Sequence, residues 1–210
     1  MPLHYTLPEI AICAAAVWGA HRLWLDGQAL GSIGVMFFGL AAIIGITRIA
    51  SGAEELLAPA HRLAAQAGGV FGLVLIVSEV ARLRGWRLPL MAVVTCAGVT
   101  AFAAVTGGAW GGLIFLVLIA AGALLLATHS GRKHRAYLAT GFALMAPNLL
   151  LVRQSPFLDA AASWHAYHFL TALWLVAVIA GLHSVQREPL HGAAPASRAN
   201  LAQPGSDRGS

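Results

Sequence analysis

The 210 residues carry 59% hydrophobic and only 10% charged side chains, far below the roughly 25% charged content of a soluble globular domain, so the chain reads as an integral membrane protein. A formal net charge of +5 does not point to nucleic acid, because the arginines stand in short groups between apolar runs, where they act as determinants of topology. Cys13 and Cys96 each fall inside an apolar run with no CxxC pair, and they read as small core residues, not as a disulfide or metal pair.

A bilayer crossing needs about 20 apolar residues, and the chain offers seven such runs, near 7–25, 29–50, 61–81, 88–106, 109–128, 135–152 and 160–182. The expected fold class is all-α, a polytopic seven-transmembrane-helix bundle over residues 1–186. A Pro, Gly, Ser and Ala-rich stretch, 187–210, is expected to be a disordered cytoplasmic tail. Met1–Tyr5 has no basic segment ahead of the first run, which is therefore expected to be a retained span and not a cleaved signal. The fourth and fifth runs are separated only by Gly107-Gly108-Ala109, and the Gly107/Gly111 and Gly108/Gly112 pairs suit close helix packing.

Seven crossings sort the basic residues by side. Arg22, Arg82, Arg84, Arg87, Arg132, Lys133, Arg135 and Arg187 fall on one face, against Arg48, Arg62 and Arg153 on the other. The positive-inside rule then puts the N-terminus outside and the C-terminus in the cytoplasm, in a plasma or inner membrane. Lys133, the only lysine, lies in a polar loop, so no span carries an amine for a retinal Schiff base.

The last run opens with Ser163-Trp164-His165-Ala166-Tyr167-His168. Residues three apart share a helix face, so His165 and His168 are expected to point at one spot and to share one metal ion. The same face continues through Ala172 and Leu175, which are expected to be buried, with Phe169 and Trp174 turned toward lipid. The bland alternative is an interfacial aromatic belt of His, Trp and Tyr.

The expected outer face also gathers His4, Glu9, Ser51, Glu54, Glu55, His61, Asn148 and Asp159. Ionisable groups within a membrane bundle usually face its interior and pair with something, and imidazoles with carboxylates suit one divalent ion, zinc above all. The expected ligands are His165, His168, His61 and Glu9, with Glu55 as a substitute. Whichever of Glu54 and Glu55 is not a ligand is the expected general base, and Ser51 the expected oxyanion donor. Structural alternatives stand beside these roles. Thr6-Leu7-Pro8-Glu9 has capping-box spacing, as does Ser51–Glu54 ahead of a short helix leading to Pro59. His61 suits a solvated helix start, Asp159 an N-cap, and Asn148 the carbonyl that Pro147 frees. His21, His129, His134 and His183 lie at the opposite ends of their runs and make poor haem ligands, since a bis-His haem needs facing ligands at similar depth. Glu79 has no assigned role.

With these residues in view the chain resembles the superfamily of alkaline ceramidases, adiponectin receptors and haemolysin III proteins. The match is carried by His165-Ala166-Tyr167-His168-Phe169-Leu170-Thr171-Ala172-Leu173 and by Ser51 at the end of the second run. The resemblance implies seven spans, a zinc ion held by histidines and a catalytic Ser, matched here by Ser51 and by the pair His165 and His168. The chain departs from the pattern where Glu55 stands for a histidine, where the late pair is H-x-x-H, and where Gln66 falls near the expected aspartate. The expected function is a metal-dependent membrane hydrolase acting on a lipid amide or ester at the non-cytoplasmic face. The alternatives are a non-enzymatic bundle that binds lipid or a partner, and a haem protein of electron transfer.

Overall fold

The computed structural model describes residues 2–108, 110–128 and 135–187. His129, His134 and the tail beyond Arg187 lie outside them. Among the described residues there are helices and connecting turns and no strand.

The order is a short 3₁₀ turn, then α1 (Thr6–Leu25), α2 (Ala29–Ala50), α3 (Glu54–Leu63), α4 (Gly69–Leu83), α5 (Leu90–Thr106), α6 (Trp110–Ala127), α7 (Arg135–Ala143), α8 (Met145–Pro147) and α9 (Ala160–Arg187). A π-helical turn, Ala64–Gly68, joins α3 to α4, so that Glu54–Leu83 is one rod of 30 residues. The short helix expected before Pro59 and the third run are thus a single element, with Pro59 inside it. A second π turn, Asn148–Val152, continues α8. Gly27 and Gly52 take positive φ, 72° and 68°, and turn the chain sharply between α1 and α2 and between α2 and α3.

Four helices are long and apolar enough to cross a membrane: Ala29–Ala50, Glu54–Leu83, Trp110–Ala127 and Ala160–Ser184. The apolar helices Leu90–Thr106 and Ala139–Val152 are shorter. Seven crossings are therefore more than length and apolarity alone give, although the helices fall close to the seven expected runs.

α2 packs between α1 and α4, and α9 packs against α1. The approach is close because the facing residues are small, the usual device where lipid supplies no hydrophobic drive between helices. A Cβ on Gly34 would lie 2.6 Å from the Gly72 carbonyl oxygen, and one on Gly39 would lie 2.9 Å from Ala16 Cβ. A Cβ on Gly111 would meet the Ala104 carbonyl at 2.5 Å, so α6 approaches α5 closely there, whereas Gly108 and Gly112 face open space and do not serve the packing expected of them. Ala172 and Leu175 are buried and Phe169 is exposed, as expected of α9. Trp174 is the exception, 2% exposed. Its indole N–H donates to the Phe142 carbonyl at 2.9 Å and its ring meets Phe38 and Phe142, so this polar edge is satisfied in the core rather than at lipid. Neither cysteine is fully buried, Cys96 being exposed.

The end of the bundle away from Glu9 is held by a polar network. Buried Glu79, on α4, accepts hydrogen bonds from the backbone N–H groups of Leu30 and Gly31 at 2.9 and 3.2 Å. It also pairs with Arg82 at 2.6 Å. It thus caps the N-terminus of α2, where orphan N–H groups and the helix dipole favour a carboxylate. His183 on α9 contacts Asp26 and Arg22, and Gln28 Nε2 donates to the Leu182 carbonyl. This network ties the α1–α2 turn to the end of α9.

Candidate functional site

Four helices meet around Glu9. Its capping-box alternative fails, because Thr6 Oγ1 donates back to the Leu3 carbonyl and Glu9 is 2% exposed in the bundle interior. His61 of α3 and His168 of α9 bring their Nε2 atoms to 3.6 and 3.4 Å from the same oxygen, Glu9 Oε1. α2 contributes Gly45: a Cβ there would stand 2.7 Å from Glu9 Oε1 and 3.1 Å from His61 Nε2. Glycine at this position keeps open the gap into which both groups point.

The tautomer of His168 follows from its other nitrogen. Nδ1 lies 2.8 Å from the Trp164 carbonyl oxygen, which can only accept, so Nδ1 carries a proton. A neutral ring then presents the bare lone pair of Nε2 to a carboxylate oxygen. Two acceptors facing each other across 3.4 Å repel unless a cation lies between them, either a proton on Nε2 or a metal ion. A histidine that gives its second N–H to a backbone carbonyl is also the usual arrangement behind a metal-bound imidazole. Glu9 Oε1 is shielded and has no hydrogen-bond partner among the described residues, an exposed debt for a buried charge.

Three cavities share the wall made by Ala65 and Tyr167. An inner one of about 90 Å³ is lined by Glu9, His61, His168, Tyr167 and Thr171 among apolar neighbours. A vestibule of about 350 Å³ is lined by His61, Arg153, Ser163, Trp164, Tyr167 and His168. A side cavity of about 130 Å³ runs past Gln66, Arg153 and Tyr167 toward Val70, Phe115, Gly108 and Gly112. Both π turns border this space, through Ala65 and Gln66 on one side and Leu149 on the other, in keeping with the frequent use of π-bulges at functional sites.

The remaining expected residues separate. His165 does not join His168: its ring lies against His4 and Tyr5, with centroids 5.1 and 5.0 Å apart, while His168 stacks on Trp164 at 4.1 Å. The i,i+3 spacing turns two side chains about 60° apart around the helix, enough here to send one to each cluster. Ser51 is exposed and donates to the Thr47 carbonyl, and neither it, Glu54 nor exposed Glu55 lines any of the three cavities. Asp159 is the N-cap of α9, accepting from Ala162 N at 2.7 Å. Buried Asn148 bonds not to a freed carbonyl of its own turn but to the Tyr167 carbonyl and Thr171 of α9. Tyr167 and Arg153, which border two or more of the cavities, were not among the expected site residues: in the sequence Arg153 reads as a topology determinant and Tyr167 as part of the alternative aromatic belt. Their signal there was only proximity to the His pair and to Pro147.

No three His, Cys, Asp or Glu side chains among the described residues stand as a closed metal-ligand set; Glu9, His61 and His168 meet pairwise through the carboxylate. Comparison with protein-family models, with curated proteins and with solved structures finds no match to the chain.

Proposed function

We propose that the chain is a membrane hydrolase in which Glu9, His61 and His168 hold one divalent metal ion, zinc by the nature of its donors, and that it cleaves a lipid amide or ester at the non-cytoplasmic face. The observation that carries this reading is the opposed pair of acceptors, Glu9 Oε1 and His168 Nε2, at 3.4 Å. Two ligands on a tetrahedral zinc with bonds of about 2.0–2.1 Å lie about 3.3–3.4 Å apart, and the gap kept open by Gly45 lies beside both Glu9 and His61. When bound, such an ion polarises a carbonyl and lowers the pKa of water.

The chain's own residues supply the rest. Water adds across the C–N or C–O bond, the carbonyl carbon gaining the hydroxyl and the departing nitrogen or oxygen taking the proton. Tyr167 lines all three cavities and takes over the oxyanion role first given to Ser51, a role in which one donor is typically worth about 3 kcal/mol. Thr171 is already committed to the Tyr167 carbonyl at 2.8 Å. Ser51, Glu54 and Glu55 take no part in the reaction. The side cavity, polar at Gln66 and Arg153 and apolar toward Val70 and Phe115, suits the start of an acyl chain, and the reading keeps the N-terminus outside on the strength of the arginine asymmetry.

Metal analysis of protein purified in neutral detergent tests it, alongside hydrolysis of a panel of acyl amides and esters. One equivalent of zinc in the wild type and none in Glu9→Gln is the expected result. Metal-free wild-type protein would falsify the hydrolase reading in favour of a second one, a non-enzymatic lipid-binding bundle whose Glu9 is neutralised by a protonated His168. The distance of Ser51, Glu54 and Glu55 from the cavities is what favours that second reading.

A further inference from the structure

Arg153 is the basic group at the junction of the vestibule and the side cavity, since it lines both. Its guanidinium carbon stands 5.2 Å from the centroid of the Tyr167 ring, a cation–π contact that holds the fork beside both cavities. Trp164 also lines the vestibule, its ring stacked on His168. The vestibule offers little acidity: besides Glu9 deep in the inner cavity, no carboxylate lines any of the three cavities.

We infer that the vestibule binds the phosphate of a phospholipid headgroup, with exposed Arg153 as its donor. The substrate is then an acyl ester of a phospholipid rather than a neutral amide. The vestibule holds Trp164 and Ser163 at the start of α9, the position along a spanning helix that corresponds to headgroup depth. A planar guanidinium meets two oxygens of a phosphodiester at once, which an ammonium cannot. The side cavity leads away from Arg153 into apolar residues and the open faces of Gly108 and Gly112, where nothing lies within 4 Å of an added Cβ. A headgroup at Arg153 therefore leaves one acyl chain a path into the side cavity, with its ester near the Glu9 cluster. The inference rests on the proposed hydrolase for the reaction and on the vestibule alone for binding.

The test is native mass spectrometry of the full chain in neutral maltoside detergent. Retention of dioleoylphosphatidylglycerol is compared with that of dioleoylglycerol, oleate and inorganic phosphate. Phosphatidylglycerol should be retained about tenfold more tightly than dioleoylglycerol, the size expected of a charge-assisted contact. Arg153→Gln should lose that preference, Arg153→Lys should keep part of it, and Arg84→Gln at the opposite end should change nothing. Equal retention in wild type and Arg153→Gln overturns the inference, and so does oleate held as tightly as the phospholipid. Inorganic phosphate bound alone with the same Arg153 dependence also overturns the lipid assignment. Metal content is read on the same samples. Protein without metal that still shows Arg153-dependent retention sinks the hydrolase and keeps this site, whereas metal-loaded protein without that dependence does the reverse.

Discussion

Gly45→Ala probes the site without touching a ligand. The added Cβ would sit 2.7 Å from Glu9 Oε1, 2.8 Å from Glu9 Cδ and 3.1 Å from His61 Nε2. An unstrained contact begins near 3.4–3.5 Å, so the carboxylate must withdraw by about 0.7 Å. Metal–ligand distances tolerate only about ±0.2 Å. A displacement of this size should cost at least the 10- to 100-fold in metal affinity seen when supporting residues around a metal are changed. Stability moves less. Overpacking costs about 1–3 kcal/mol, and replacing a mid-helix glycine returns roughly 0.5–1 kcal/mol, so the net loss is on the order of 1 kcal/mol. Gly98→Ala is the control, because nothing lies within 4 Å of its Cβ and it should bind metal as the wild type does. Zinc titration into chelator-treated protein gives the affinity, and a thermal melt gives the stability. A Gly45→Ala protein with wild-type zinc affinity would refute the argument that the gap beside Glu9 and His61 holds the ion.

The two histidines of α9 should behave differently: His168→Ala abolishes metal binding and His165→Ala leaves it unchanged, elemental analysis of the folded variants being the check. Glu79→Ala strips two buried N–H groups of their acceptor and leaves Arg82 without its carboxylate. A loss of about 3–5 kcal/mol is expected, read as a lower melting temperature with metal content per folded molecule intact. Trp174→Phe removes the hydrogen bond to the Phe142 carbonyl and should cost about 1–2 kcal/mol, again by thermal melt; a neutral outcome would mean the carbonyl finds another donor.

Helix positions were legible because apolar runs near the length of a bilayer leave little freedom: the run expected at 29–50 coincides with α2, and the run at 160–182 lies within α9. Facing was legible only partly. The burial of Ala172 and Leu175 follows from period, but that of Trp174 does not, because the carbonyl that receives its N–H belongs to Phe142 on another helix. The site was legible as a list and not as a grouping. Glu9, His61 and His168 were all candidates, yet spacing along one helix made His165 look like the natural companion of His168. Local sequence cannot decide which of two side chains 60° apart meets a neighbour, since that depends on where α1 and α3 stand. Ser51, Glu54 and Glu55 were attractive by chain position, but the turn at Gly52 precedes a helix that carries His61 inward and leaves Ser51 and Glu55 exposed.

Two carboxylates are buried among the described residues, Glu9 and Glu79, and the contrast between them bears on the proposed function more than either does alone. Glu79 is 0% exposed and fully engaged: two backbone N–H groups reach one oxygen and Arg82 reaches the other. That is how a buried charge is made part of a scaffold, with donors aligned on it from two helices. Glu9 is as deeply buried, at 2%, but its Oε1 meets two imidazole nitrogens at 3.4 and 3.6 Å without a hydrogen bond from either. In a neutral ring the His168 nitrogen is a bare lone pair, because Nδ1 carries the proton. The same bundle therefore satisfies one carboxylate with its own groups and leaves the other beside a cavity and a glycine-made gap. If burial alone explained Glu9, its surroundings would resemble those of Glu79. An acceptor set turned toward empty space is instead the arrangement that a cation completes. On the proposed reading Glu9 is thus the carboxylate that takes part in the chemistry, and Glu79 the one that holds the scaffold.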